Sequence, residues 1–411
     1  MIRGMQMGNA LKIARIGGID VQVHWSFVLI LFYGAYTFGQ GARDVVAGAI
    51  YGVVIILLLF LCVVLHEFGH AFTAKYFGVK VPNITLLPIG GLAQLERMPR
   101  KPGQEFLIAI AGPAVNFVLA LLLLPLALLA ISMSARGGAS FSYFGLMRAA
   151  QSMSLTGLLL SLAVMNLTLG FFNLLPAFPM DGGRILRALL ALRLRYVRAT
   201  RVAVLVGRGM AILFVMWGIF GGGIHGALFL LIAFFVYVGG RGELEAVEGR
   251  YILNDFSARQ AANKDAHVLY TSEAVSRAVE YIMTTYQGDF PVYDLGHNLV
   301  GVLTRPRLVE TLRMQGQDGR VVDVMIPRAL VPETSGDTPL ADVWEKMMAS
   351  GSRVIIVQDQ ERFLGLITLD DISELIQVMG AAKEREDVIA GGPGGRSDSS
   401  VAGAHSIADI N

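Results

Sequence analysis

The stretch LLLFLCVVLHEFGHAFTAKYFGV, residues 57–79, ends a long apolar run with His66, Glu67 and His70. Residues four apart on an α-helix lie on the same face, so the two imidazole rings project together. On a helix, the pattern His-Glu-x-x-His is typical of two neutral imidazoles that bind a zinc ion, with the glutamate acting on a water molecule beside the metal. The stretch therefore predicts a metal site at the end of an apolar helix.

The surroundings of this motif are those of a membrane segment. Residues 55–64 include no polar side chain except Cys62. Ionisable groups next to a lipid-facing segment cost about 3 kcal/mol each unless they are paired or bind a metal. The setting therefore favours a metal site over the alternative, in which the two histidines simply lie on a helix surface.

The composition indicates a membrane protein with a soluble portion. Of the 411 residues, 54% are hydrophobic and 16% are charged, whereas ordinary soluble domains have about 25% charged residues. The formal net charge of +2 gives no reason to expect a nucleic-acid partner. Cys62 is the only cysteine, which excludes a disulfide framework and a cysteine zinc cluster.

Six apolar segments predict a multi-pass α-helical membrane protein with about six spans. The predicted spans are 22–40, 46–77, 105–131, 153–175, 200–221 and 224–240. The first apolar run is long enough to span and lacks a small-residue cleavage site. Residues 1–21, which carry several positive charges, are therefore interpreted as a cytoplasmic N-terminal segment rather than as part of a signal peptide.

Basic residues in the short loops predict the orientation. One group lies between the second and third spans, and another between the fourth and fifth, where residues 182–242 contain no acidic residue. The two groups are Arg97, Arg100 and Lys101, and Arg184, Arg187, Arg193, Arg195, Arg198 and Arg201. Because Lys and Arg concentrate in cytoplasmic loops, both termini are predicted to be cytoplasmic, with the chain in the cell membrane.

Residues 79–97, VKVPNITLLPIGGLAQLER, predict a small membrane-associated β-hairpin. Gly90 and Gly91 suit a turn or a close approach of the backbone to another group. Two interpretations are open. The hairpin could offer an unpaired edge to an extended peptide near these glycines, or it could be an ordinary surface hairpin.

Two polar residues in other apolar segments are candidate site residues. Asn116 follows Gly112 in the third predicted span. A buried asparagine needs a hydrogen-bond partner, so Asn116 either links two helices or belongs to the site. His24, beside Trp25, is interpreted as an interfacial residue in preference to a gating residue.

The second informative stretch is NLTLGFFNLLPAFPMDGG, residues 166–183, in which Pro176 and Pro179 interrupt the helix. Asp181 is the only carboxylate in residues 106–242. An aspartate at membrane depth on interrupted backbone is a candidate ligand, and it would complete a set of two histidines and one carboxylate. The alternative is an aspartate that caps the following helix, and the two roles are compatible.

The two motifs together resemble the site-2 protease family of intramembrane zinc metalloproteases. The segments His-Trp-Ser-Phe at 24–27, Ile-Gly-Gly at 89–91 and Gly-Pro-Ala-Val-Asn at 112–116 are also similar to that family, and the resemblance covers about residues 10–240. It implies cleavage of membrane-embedded segments of other membrane proteins, in particular single-pass ones, within the lipid bilayer.

The resemblance also implies a role for each motif residue. The implied ligands of one zinc ion per chain are His66, His70 and Asp181, the implied general base is Glu67, and the implied substrate-binding residues are Asn116 and Asn173. Every motif position is filled, so nothing in the sequence indicates an inactive relative.

After Gly240 the charge density rises, and two similar segments follow at 250–312 and 320–380. Each combines helical and strand patterns with a Gly-x-x-Thr motif, GVLTRPR at 301–307 and GLITLDD at 365–371. Such a repeat predicts a pseudo-symmetric α/β pair. The pair resembles a tandem of cystathionine-β-synthase (CBS) domains, a regulatory module that binds adenine nucleotides.

This second resemblance implies nucleotide contacts at Thr368 and Asp371, and at Thr304 in the first copy. Arg307 stands where the second copy has Asp371, which puts the first nucleotide site in doubt. The alternative is a structural module that forms a homodimer. Residues 381–411 are rich in Gly, Ser and Ala and are predicted to be a disordered tail.

The leading functional hypothesis is a zinc endopeptidase in residues 22–240 with a cytoplasmic CBS regulator. A transporter gated by the CBS pair is the alternative, but it would favour internal duplication of the membrane segments, and residues 22–240 lack such a duplication. A catalytically silent ligand-sensing scaffold is disfavoured because the ligand set and Glu67 are intact.

Overall fold

The computed structural model describes residues 10–88, 90–93, 101–134, 152–285, 287–360 and 362–390. Contacts divide the chain into two compact units, Met1–Leu244 and Glu245–Asn411. The basic residues Arg97 and Arg100 of the predicted orientation signal lie outside the described residues.

Long helices form most of the first unit. They are α1 (Phe27–Gln40), α2 (Val45–Tyr76), α3 (Pro102–Ser134), α4 (Leu155–Asn173), α5 (Asp181–Ala191), α6 (Tyr196–Gly221) and α7 (Gly223–Asn254), whose last ten residues belong to the second unit. Among the described residues, five of these helices (α2, α3, α4, α6 and α7) are long and apolar enough to cross a membrane. The prediction of a multi-pass α-helical membrane protein is confirmed.

The first predicted span, 22–40, starts too early. Its helix covers only the 14 residues Phe27–Gln40, because residues up to His24 belong to a strand. The sequence 19–24, IDVQVH, alternates apolar and polar residues, and this period of two fits a strand better than a helix.

A four-stranded sheet packs against α2. Its strands are β1 (Ala10–Ile16), β2 (Ile19–His24), β3 (Asn83–Leu87) and β4 (Gly90–Ala93), in the order β1-β2-β3-β4. β2 and β3 are parallel, and the other two pairs are antiparallel. The predicted hairpin is thus half of a larger sheet, and residues 10–16 of the predicted N-terminal segment form the far edge. One face of the sheet joins the core of α2 through Ile19, Val21, Ile84, Leu86, Phe68 and Ala71.

The ends of α2 follow from the local sequence. Asp44 precedes the helix and accepts hydrogen bonds from the backbone N–H groups of Val46 (2.9 Å) and Ala47 (3.2 Å). These are donors that a helix start leaves without partners. At the other end the chain turns at Gly78, whose φ of 79° is in the left-handed region that favours glycine. The helix therefore ends two turns after His70.

The turn between α4 and α5 is tightly packed. The helix stops at Asn173, as the two prolines predict, and resumes at Asp181. A Cβ atom on Gly182 would lie 2.2 Å from the carbonyl oxygen of Leu175, so the first turn of α5 lies directly against the preceding turn. This packing fixes where α5 begins.

The second unit contains the same order of elements twice. The first copy is β5 (Leu269–Tyr270), α9 (Val275–Thr285), β6 (Phe290–Tyr293), β7 (Leu299–Leu303) and α10 (Arg305–Gln315), after the short α8 (Ala258–Ala261). The second is β9 (Glu333–Ser335), α12 (Leu340–Ser350), β10 (Val354–Asp359), β11 (Arg362–Thr368) and α13 (Leu369–Ala390), after α11 (Val321–Val324) and β8 (Ile326–Pro327). In both copies the first strand is parallel to the second, and the second is antiparallel to the third.

The two copies share their cores. Ala258 and Ala262, from the segment before the first copy, pack in the core of the second copy. Val321 and Val324, from the segment before the second copy, pack in the core of the first. A third cluster joins β7 to β10 and β11, so the two copies form one interlocked unit.

The C-terminal helix extends further than the sequence predicts. α13 continues to Ala390 and includes 381–390 of the segment predicted to be disordered. Residues 381–390, AAKEREDVIA, contain no glycine or proline and are mostly good helix formers, whereas the Gly-rich sequence starts at 391. Residues 391–411 lie outside the described residues.

Candidate metal centre

The structure brings together the three predicted ligands. Asp181 Oδ2 lies 3.1 Å from His70 Nε2 and 3.4 Å from His66 Nε2, and the two Nε2 atoms are 3.1 Å apart. All three side chains are buried, and one ligand atom from each lies within 4.8 Å of the others. Helix α2 supplies the histidines on one face, and Asp181 is the first residue of α5. Its Oδ2 atom points at the two histidine rings.

Hydrogen bonds hold both imidazole rings from behind. His70 Nδ1 lies 2.7 Å from the carbonyl oxygen of Ile108, which can only accept, so Nδ1 carries the proton and Nε2 presents a lone pair. His66 Nδ1 lies 3.1 Å from the amide nitrogen of Asn116, and the amide oxygen of Asn116 has no partner among the described residues. The two ends of an amide have the same shape, and the oxygen of a turned amide would accept a hydrogen bond from His66 Nδ1–H.

With the amide turned, His66 Nε2, His70 Nε2 and Asp181 Oδ2 all present lone pairs to one another at distances of 3.1–3.4 Å. Two imidazole nitrogens and a carboxylate oxygen at this distance repel each other unless a cation lies between them. Outer hydrogen bonds from ligating histidines to carbonyl or amide groups are also the usual arrangement around zinc. The residues present therefore fit a zinc ion held by His66, His70 and Asp181.

Helix α3 crosses the centre at a glycine. A Cβ atom on Gly112 would lie 2.2 Å from His70 Nε2 and 2.7 Å from His66 Nε2. Any side chain at this position would therefore enter the space between the ligand atoms. Nearby, Gly69 faces the carbonyl oxygen of Ala111, where a Cβ atom would approach to 2.7 Å. The predicted close helix packing at Gly112 thus also keeps the centre open.

Strand β4 passes beside Glu67. A Cβ atom on Gly91 would lie 2.7 Å from Glu67 Cγ and 3.2 Å from Glu67 Oε1. Gly90 has a φ of 138°, which side-chain-bearing residues rarely adopt. Within the described part of the chain, β4 is the last strand of its sheet, so its outer edge faces away from β3. The glycines therefore let the backbone of an edge strand approach the predicted catalytic base.

The remaining predicted residues lie at the margins. Asn173 is the half-buried last residue of α4, next to the turn that leads to Asp181. His24 lies at the end of β2, where its Nδ1 is 2.7 Å from Ser26 Oγ and its ring is 5.6 Å from the ring of Trp25. These local contacts fit the interfacial interpretation of His24. The role of Asn173 stays a prediction.

The predicted nucleotide contacts lie at two helix starts in the second unit. The backbone N–H and the hydroxyl of Thr368 both donate to Asp371 Oδ2, at 2.8 Å each. Thr304 is buried at the start of α10, and Arg307 is exposed. These contacts do not test the predicted nucleotide binding, which stays a prediction.

Sequence reasoning missed Asp289 in the first copy. Its carboxylate accepts a hydrogen bond from the backbone N–H of Arg305, the first residue of α10, at 3.1 Å. Burial raises the pKa of Asp289 above its ordinary value, and the hydrogen bond from Arg305 opposes this change. Asp289 precedes a strand and lies outside the Gly-x-x-Thr motif, which explains why the motif does not reveal it.

Comparison with known proteins places the chain in a family. The sequence model of Peptidase family M50 matches residues 54–217, and that of the CBS domain matches residues 321–378. The zinc metalloprotease MJ0392 of Methanocaldococcus jannaschii is 30% identical over 93% of this chain and 100% of its own length. The putative zinc metalloprotease Rip3 of Mycobacterium tuberculosis is 28% identical over 92% of this chain and 95% of its own length.

A solved structure, the site-2 protease from Methanocaldococcus jannaschii, is 34% identical, covering 57% of this chain and 95% of that chain with a TM-score of 0.40. The fold and the site define a membrane-spanning protein with a buried centre of two histidines and one aspartate. The chain belongs to peptidase family M50. The predicted resemblances to the site-2 protease family and to CBS domains are confirmed.

Proposed function

We propose that this chain is a zinc metalloendopeptidase that cleaves peptide bonds within the transmembrane segments of other membrane proteins. The observation that carries the proposal is the convergence of His66 and His70, on the apolar helix α2, with Asp181 at the start of α5, and with Glu67 next to the first ligand. A buried set of three acceptor atoms has no evident use in a purely structural membrane scaffold, because burying it without a cation is costly.

The zinc ion, when bound, would lower the pKa of a water molecule toward about 7 and polarise the peptide carbonyl. His66 Nε2, His70 Nε2 and Asp181 Oδ2 would hold it, while Ile108 and Asn116 keep the two rings in place. Glu67 takes a proton from the attacking water and then transfers it to the amine that leaves when the peptide bond breaks. The carboxylate of Glu67 is therefore unchanged after each turnover.

A helical substrate must unwind before cleavage, because its carbonyl groups are hydrogen-bonded within the helix. The outer edge of β4 can pair with the unwound segment through backbone hydrogen bonds, next to Gly91 and Glu67. Asn116 and Asn173 are the proposed side-chain contacts to the substrate peptide. The proposed substrates are single-pass membrane proteins.

The test compares two variants in purified, full-length protein. Glu67→Gln should keep about one zinc ion per chain, because the ligands are intact, and should lower cleavage by roughly 10²–10⁴-fold. Asp181→Ala should lose both zinc and cleavage. Metal analysis, together with proteomics of membrane fragments released by the wild type but not by Glu67→Gln, measures both. Wild-type protein without zinc, or cleavage undiminished in Glu67→Gln, would contradict the proposal.

We further propose that the second unit binds an adenine nucleotide at Thr368 and Asp371, and that both chain termini lie on the cytoplasmic side of the cell membrane. The matched CBS domain and the hydroxyl group at the start of α13 support the first proposal. Titration calorimetry of AMP and ATP against wild type and Thr368→Val tests it, and heat of binding unaltered by the variant would argue against it. Labelling of cysteines introduced at each terminus tests the orientation.

A further inference from the structure

A buried ion-pair cluster lies on the helix that carries Asp181. The side chain of Arg187, in α5, is 1% exposed, and Glu105, near the start of α3, is 0% exposed. We propose that Arg187 is a positioning residue, which anchors α5 so that the Asp181 carboxylate stays against His66 and His70. The inference rests on the proposed zinc site and adds to it a residue outside the ligand set.

The guanidinium group of Arg187 is held on every side. Its Nε and Nη2 donate to Glu105 Oε1 at 2.7 Å and 2.5 Å, and its Nη1 donates to Glu243 Oε1 at 2.5 Å. Its central carbon lies 5.0 Å from the ring centres of both Phe178 and Tyr196. Hydrogen bonds thus fix the plane of the group, and two aromatic rings pack against it.

These contacts involve residues on both sides of Asp181 in the chain. Phe178 lies three residues before it in the turn, and Arg187 lies six residues after it, about 9 Å along the helix axis. Glu105 is on α3, the same helix that supplies Gly112 and the Asn116 amide to the metal centre. The Arg187–Glu105 pair therefore ties the helix of the third ligand to the helix that crosses the two imidazole rings.

The first turn of α5 packs against the preceding turn through its backbone, but it has few side chains that could hold it. Gly182 and Gly183 follow Asp181, and glycine has no side chain to pack and weakens a helix by about 1 kcal/mol relative to alanine. A binding site needs its groups held within about 0.5 Å of their working positions. A small rotation or slide of α5 would exceed this tolerance, and the anchor at Arg187 opposes both movements.

Stability alone is a weak explanation for the cluster. Replacing a buried ion pair with apolar side chains of similar volume is often neutral or stabilising, because burying the charges is costly. The cluster has one guanidinium and two carboxylates, and Glu105 Oε2 has no hydrogen-bond partner among the described residues. Apolar side chains would leave no oxygen without a partner. They would not fix the orientation of α5 as the planar guanidinium group of Arg187 does, because its N–H donors point in set directions.

The experiment measures metal binding separately from folding, in full-length protein purified in detergent. Arg187→Met removes the charge, Arg187→Lys keeps the charge but not the fork, and Arg193→Met is a control at an exposed arginine just after α5. Zinc affinity is measured by competition with a chelator, and ligand geometry by the absorption spectrum of the cobalt-substituted protein. We expect Arg187→Met to weaken zinc binding by about 10–100-fold and to alter the cobalt spectrum. Arg187→Lys should fall between it and the unaffected control.

A purely structural role would give a different result. The Arg187 variants would then unfold at lower temperature, but their folded fraction would bind zinc with wild-type affinity and give the wild-type cobalt spectrum, which would overturn the inference. If Arg187→Met alone does not fold, Glu105→Gln combined with Arg187→Met removes the buried charge of the pair, and the same two readouts apply. A wild-type protein without zinc would refute the proposed function itself, whereas unchanged zinc binding in the variants refutes only this inference.

Discussion

The metal centre and the Arg187 cluster both bury charged or polar groups in the first unit, but they satisfy them in opposite ways. In the Arg187 cluster, the donors of one guanidinium meet carboxylate oxygens of Glu105 and Glu243, so the protein itself supplies both signs of charge. In the metal centre, two imidazole nitrogens and one carboxylate oxygen converge without a donor between them. The comparison indicates that one cluster contains its own cation, the guanidinium of Arg187, and that the other needs a cation to be added.

The largest expected effect comes from filling the space between the ligands. Gly112→Ala would place a Cβ atom 2.2 Å from His70 Nε2. The rings cannot move far, because Ile108 and Asn116 hold them, so we expect more than about 100-fold loss of zinc affinity and loss of cleavage. Alanine should favour the helix itself by about 1 kcal/mol, and the fold should therefore survive.

The matched control is Gly103→Ala on the same helix, since a Cβ atom at Gly103 would meet nothing within 4 Å. Chelator competition and circular dichroism of both variants separate loss of metal from loss of fold. Zinc affinity that is equal in the two variants would show that the space between the rings is not the metal site.

Metal removal gives the next largest effect and separates the two clusters. A ligand present at about 1,000 times its dissociation constant stabilises the folded state by about 4 kcal/mol. A strong chelator should therefore lower the thermal unfolding temperature of the wild type, because it leaves the three acceptor atoms without their cation. Asp181→Ala, which cannot complete the centre, should not respond to the chelator. An unfolding temperature of the wild type that is insensitive to chelation would mean that the centre is satisfied without a metal.

A smaller effect is expected from the amide behind His66. Asn116→Leu removes the partner of Nδ1, so the ring loses its fixed tautomer and orientation, and we expect zinc affinity to fall by about 10–100-fold. Asn166→Leu is the control for loss of a buried amide, because the Asn166 side chain donates to Leu162 O in its own helix. Chelator competition measures both variants, and a greater loss in Asn166→Leu would contradict the assignment of Asn116.

Much of the metal centre could be predicted from the sequence. The spacing of His66 and His70 fixes a shared helix face, and the isolation of Asp181 among apolar residues marks it as a ligand candidate. The Ile108 carbonyl could not be predicted, because every residue has a backbone carbonyl and only the packed structure selects one. The position of Gly112 over the rings was also not evident, since a glycine in a membrane helix first indicates close packing.

The Arg187 cluster and part of the sheet were missed for other physical reasons. Arg187 is one of several arginines in its loop, and its partner Glu105 is 82 positions away, so only tertiary packing distinguishes it. Glu105 also stands at the boundary of a predicted span, where a charged residue is usual. Strand β2 was merged with the following apolar helix, because a long apolar run conceals its period of two.

The smallest expected effect is at the edge of the Arg187 cluster. The Tyr196 hydroxyl donates to Glu105 Oε1 at 3.4 Å, a long hydrogen bond to an oxygen that already accepts two from Arg187. Tyr196→Phe keeps the ring over the guanidinium and removes only this bond. We expect at most about 1 kcal/mol loss of unfolding free energy and zinc affinity within about twofold of the wild type.

Thermal unfolding and chelator competition of Tyr196→Phe give both values. The result distinguishes the two partners of Glu105, because the Arg187 side chain alone is proposed to anchor the helix of Asp181. Should Tyr196→Phe weaken zinc binding as strongly as Arg187→Met, the anchor would be the whole hydrogen-bonded network rather than the forked pair. The Arg187 cluster would then depend on every one of its hydrogen-bond donors, just as the metal centre is proposed to depend on each of its three ligands.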